Sequence, residues 1–84
     1  MLFEITEDRS PFYGKYIVSA DGYIVYKGSY MDYALSEIVS LAWKYVKENG
    51  KDVYAPLFDL KIRNQEIKNL SFVALAETLQ HLDL

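Results

Sequence analysis

The chain predicts an α+β domain: a small antiparallel sheet, in the order β-β-β-α-β-α, with one long helix packed on one face. Three observations carry this. Residues 13–28 form two β-branched, aromatic-rich runs around Asp21-Gly22, a dipeptide that favours a two-residue hairpin turn. Residues 30–48 repeat apolar side chains at helical spacing. The length of 84 residues suits a single domain over 1–84.

Each element follows in order. Residues 1–7 read as a first strand, with Met1, Phe3 and Ile5 alternating with Leu2, Glu4 and Thr6. Glu7-Asp8-Arg9-Ser10-Pro11 reads as a polar loop. In the hairpin, a two-residue turn sets Ala20 against Tyr23, Ser19 against Ile24, Val18 against Val25, Ile17 against Tyr26 and Tyr16 against Lys27. One face then carries Tyr16, Val18, Ala20, Tyr23, Val25 and Lys27, and the other Tyr13, Lys15, Ile17, Ser19, Ile24 and Tyr26. A half-exposed sheet shows one polar face, yet neither face here is polar.

Gly28-Ser29 ends the hairpin, and Ser29-x-x-Asp32 reads as a helix cap. In the helix, Met31, Ala34, Leu35, Ile38, Leu41, Ala42, Tyr45 and Val46 share a stripe, widened by Val39 and Trp43. Asn49-Gly50 is its stop. Residues 53–62 read as a strand in which Phe58, Leu60 and Ile62 point opposite to Asp59 and Lys61, with Pro56 marking an edge or bulge. Residues 66–73 fit either a returning strand or the start of a helix. Good helix formers favour a helix from about Leu70, with Ser71 as cap and Phe72, Leu75, Leu79 and Leu82 on one face.

Composition narrows the function. There is no cysteine, which excludes disulfides and thiolate metal sites and points to a reducing, cytoplasmic setting. The net charge of -3 weighs against nonspecific phosphate binding. No apolar run approaches the ~20 residues needed to cross a bilayer, and the acids in MLFEITEDR do not suit an export leader.

Catalytic equipment is missing from the pattern. The single histidine, His81, reads as solvated, and no nucleophile and base are spaced as a pair. Glu7-Asp8 and Glu48 with Asp52 read as surface charge, and Asp59 as a charge on the solvent side of an edge strand. No glycine-rich phosphate loop is present. The expectation is a non-enzymatic protein without cofactor or metal.

Tyrosine is the remaining signal. Six of the eight fall between positions 13 and 33, and tyrosine is enriched at interfaces because it offers contact area at low rotamer cost. With a helix over Ile17, Ile24 and Tyr26, the opposite hairpin face needs a cover. The sequence therefore predicts a protein-interaction module, an adaptor or an inhibitor, binding through Tyr16, Val18, Tyr23, Val25 and Lys27 with Tyr33 and Trp43. Phage and mobile-element inhibitors of host defence are one such class, by analogy. The partner is another protein or a second copy of the chain. The alternative is a nucleic-acid-binding regulator that stacks bases on the sheet.

Overall fold

A computed structural model describes the backbone of residues 1–10 and 13–82, and the side chains of residues 1–7 and 16–82. The elements are β1 (Leu2–Ser10), β2 (Tyr13–Ala20), β3 (Tyr23–Gly28), α1 (Met31–Glu48), β4 (Phe58–Ile62), β5 (Gln65–Leu70) and α2 (Phe72–Gln80). The fold is α+β, with the long helix packed on the sheet as expected. The five strands lie in the order β3-β2-β1-β4-β5, so β1 is central and β3 and β5 are the outer strands.

Two features of the sheet differ from the expectation. The sheet is mixed, because β4 pairs with β1 in parallel, Phe3 opposite Leu60 and Ile5 opposite Ile62. The cause is α1. A long helix carries the chain back along the sheet, so the next strand runs in the direction of the one before it. The stretch that fitted strand or helix divides into both: Gln65–Leu70 pairs with β4 as β5, and α2 begins at Phe72.

Boundaries shift as well. β1 continues through Ser10 opposite Tyr13, where a polar loop was expected from Glu7; Pro11 lies outside the described residues. β4 starts at Phe58, and residues 53–56 are turns and bends. The cap of α1 is Tyr30, with no side-chain cap bond, in place of Ser29. At α2 the expected cap is present: the Ala74 N–H donates to Ser71 Oγ at 3.2 Å.

The core lies between the sheet and the two helices. Phe3 and Ile5 of β1, Val18 of β2, and Phe58, Leu60 and Ile62 of β4 are buried against Ala34, Ile38, Ala42 and Val46 of α1 and Leu75 and Leu79 of α2. The small side chains Ala34 and Ala42 let α1 approach the strands closely. Phe58 ties the layers together: its ring stacks on Phe3 at 5.9 Å and meets Tyr45 edge-on at 5.8 Å.

A bulge resets the hairpin. Asp21 and Gly22 both have positive φ, 51° and 88°, as a tight turn requires. Ala20 faces Tyr23 and Ser19 faces Ile24, as expected. Beyond them the register shifts by one, so that Val18 faces Tyr26, Ile17 faces Lys27 and Tyr16 faces Gly28. Val25 is the extra residue, and both Val25 and Tyr26 pack toward the core. The phenol of Tyr26 lies where a Cβ on Gly28 would sit, so glycine at position 28 gives that ring its place.

Candidate interaction surface

The helices cover the hairpin face that was expected to be open. Val18 is fully buried, and Tyr16, Ala20 and Val25 are half-buried against the core. The expectation rested on the hairpin alone, where the two faces are nearly equal in apolar content. The neighbouring strands decide between them. Through the register, Ala20 and Val18 share a face with Phe3 and Ile5, which in turn lie beside Leu60 and Ile62. The combined apolar area on that side is far larger, and the helices cover it. Val18 is therefore core and cannot meet a partner. Tyr13 and Lys15, expected on the opposite face, have side chains outside the described residues.

The other face of the sheet is open and mixed. Ile24 is exposed, Leu2 and Ile17 are half-buried, and Glu4, Ser19 and Lys61 lie along the same row of cross-strand pairs. Lys61 Nζ is 3.8 Å from Glu4, and Lys68 Nζ is 4.0 Å from Glu66. Among the described residues these exposed pairs hold opposite charges together, and Lys61 and Lys68 each face a carboxylate.

Exposed large side chains stand at the start of β3, at the start of α1 and, as Tyr54 and Leu57, ahead of β4. Within α1, Leu35, Val39 and Trp43 turn toward α2, and the Trp43 ring lies 5.4 Å from Phe72. At 100° per residue, Tyr33 lies about 160° around α1 from the middle of the buried stripe of Ala34, Ile38, Ala42 and Val46, so it points away from the sheet into solvent. Tyr30 enters the helix beside it, and the two rings meet edge-to-face at 5.5 Å. Tyr33 is 63% exposed and Tyr30 66%, while Tyr23 and Ile24 at the start of β3 reach 78% and 67%. Lys27 is exposed along the same strand.

No family model, curated protein or solved structure matches the chain. Its own geometry is therefore the ground for a functional reading.

The seven residues singled out from the sequence thus divide. Tyr23 and Lys27 are exposed on β3 and Tyr33 on α1, with no contact among the described residues bringing them together. Tyr16 and Val25 are half-buried beneath α1, Val18 is core, and Trp43 sits on the α2 side against Phe72. Tyr30 and Ile24 are equally exposed and were not expected at a partner surface. Tyr30 was absorbed into a helix start, and Ile24 was assigned to the covered face.

Other chemistry finds little purchase. Among the described residues no group of three or more His, Cys, Asp or Glu side chains gathers. His81 is exposed at the end of α2. A shallow notch of about 390 Å³ lies where β4 ends beside β1, lined by Glu4, Thr6, Glu7, Lys61, Arg63 and Asn64. Its cations already face carboxylates: Arg63 donates to Glu7 Oε1 at 3.0 Å, and Lys61 faces Glu4. Among the described residues no helix is long and apolar enough to cross a membrane.

Asp59 has a role the sequence reading missed. It lies on an inner strand, between β1 and β5, and its Oδ1 accepts from the Asn69 N–H at 3.0 Å. Asn69 has φ of 60° at the irregularity where β5 slips against β4. The carboxylate fixes that bulge and is not a bare charge on an edge.

Proposed function

We propose that the chain acts by binding another protein, as an adaptor or an inhibitor, and performs no catalysis. The observation that carries this reading is exposed tyrosine surface: Tyr30 and Tyr33 meet edge-to-face at the start of α1, and Tyr23 stands open on the outer strand β3. Tyrosine supplies broad contact with few rotatable bonds, and its hydroxyl tolerates water until a partner arrives. An outer strand adds backbone groups that an incoming segment can pair with. The balanced ion pairs of the open sheet face give the nucleic-acid alternative no support.

The test compares the wild-type chain with Tyr23→Ala/Tyr33→Ala and with Tyr30→Ala. Tagged protein is used to capture partners from its native host, and sedimentation reports self-association. The expected result is loss of the bound protein, or of a dimer, in the variants, with cooperative unfolding retained. Equal capture by all three proteins would remove these tyrosines as the binding surface.

A further inference from the structure

We propose that Asn49-Gly50 is a site of spontaneous covalent modification, where the Asn49 amide is lost through a cyclic imide to give aspartate and isoaspartate at the C-terminal cap of α1. The inference is independent of the interaction reading.

The geometry favours the reaction at this position. Asn49 and Gly50 are both exposed. Gly50 has φ of 96°, and no heavy atom lies within 4 Å of the place a Cβ would take. The backbone bonds that close the helix start at Asn49 N and Lys51 N, both reaching Val46 O. The Gly50 N–H between them makes no backbone hydrogen bond among the described residues. The Gly50 nitrogen thus has its N–H outside any backbone hydrogen bond and no side chain beside it, so rotation about the Cα–C and Cα–Cβ bonds of Asn49 brings it to the amide carbon unhindered. One interaction restrains that rotation: Asn49 Nδ2 donates to Tyr45 O at 2.8 Å, in an exposed final turn of the kind that frays.

The atoms balance as follows. The Gly50 nitrogen attacks Asn49 Cγ, a C–N bond forms, and the Cγ–Nδ2 bond breaks. Nδ2 leaves as ammonia, taking the proton from Gly50. Water then opens the ring. Cleavage between nitrogen and Cγ gives aspartate in an ordinary backbone. Cleavage between nitrogen and the backbone carbonyl carbon gives isoaspartate, with the chain running through the former side chain. Either product puts a carboxylate beside the Tyr45 and Val46 carbonyls, at the negative end of the helix dipole.

The other related positions are protected. Asp21-Gly22 is held on both sides, since Asp21 Oδ1 accepts from Leu2 N and Asp21 N donates to Leu2 O, each at 2.8 Å. Asn64 and Asn69 precede Gln65 and Leu70, whose side chains hinder the attacking nitrogen.

The experiment incubates the folded full chain in mildly alkaline buffer and follows each asparagine by peptide mass spectrometry, with enzymatic carboxyl methylation to detect isoaspartate. The expected result is conversion at Asn49 several-fold faster than at Asn64 or Asn69, and absent in Asn49→Gln. A urea-unfolded sample run in parallel separates local from global opening. Conversion at Asn49 in urea alone, or no faster than at the other asparagines in the folded chain, overturns the proposal.

Discussion

Asp21 grips Leu2 by both backbone groups: its Oδ1 accepts from the Leu2 N–H at 2.8 Å, and its own N–H donates to the Leu2 carbonyl at 2.8 Å. The turn of the β2–β3 hairpin is thereby fastened to the start of the central strand. Asp21 also carries the positive φ of that turn, 51°, a conformation that aspartate tolerates better than alanine.

Asp21→Ala therefore loses the bond to Leu2 and places an unsuited residue in a left-handed conformation. The expected cost is about 2 kcal/mol, roughly one from each source. Asp21→Asn keeps an acceptor and costs less. Urea unfolding midpoints for the two variants check this order; equal midpoints would show that the clasp contributes nothing.

Asp59→Ala removes the acceptor for the Asn69 N–H and is expected to cost about 1 kcal/mol. Asn69→Gly relieves the positive φ of 60° and is expected to be neutral or stabilising. Amide exchange at Asn69 provides a local reading: it should rise in Asp59→Ala and stay low in Asp59→Asn.

Ser71→Ala deletes the bond to Ala74 N at the start of α2, at a cost of about 1 kcal/mol. Ser71→Asp restores an acceptor beside the positive end of the helix and recovers the loss. Thermal denaturation of the three proteins measures both steps.

Core rings and exposed tyrosines should separate cleanly. Phe58 is fully buried between Phe3 and Tyr45, and Phe58→Ala is expected to cost about 3–5 kcal/mol. That is a large part of the total for a small domain, which is about 5–15 kcal/mol. Tyr23→Ala, Tyr30→Ala and Tyr33→Ala should each change stability by no more than about 0.5 kcal/mol. A large loss from any of the three in chemical denaturation would mean that the ring supports the fold and is not held for a partner.

Local chemistry made much of the fold legible. Asp21-Gly22 marks its turn, Ser71 its cap, and the stripe from Met31 to Val46 its long helix, because each of these signals acts within a few residues. The hidden parts depend on distant neighbours. The helix-facing side of the hairpin is chosen by Phe3, Ile5, Leu60 and Ile62, which no reading of residues 13–28 contains. The bulge at Val25 moves Tyr26 from one face to the other, and strict alternation has no means of anticipating it. β5 carries Glu66, Lys68 and Asn69, a polar outer strand with weak hydrophobic pattern. Of the residues picked for a partner, Tyr23, Lys27 and Tyr33 are exposed, whereas Val18 is interior because the covered face is the other one.

The parallel pairing of β1 with β4 also orders events during biosynthesis. The first fifty residues hold a hairpin, its neighbouring strand and a helix, all closed by short-range contacts that form early. The inner margin of β1 must then wait for residues 59–62 before it is satisfied. A ribosome that pauses in between would display a hydrogen-bonding ledge to every other nascent chain. Arrested chains ending near residue 50 should accordingly self-associate or recruit chaperones, and release of the remainder should quench that stickiness.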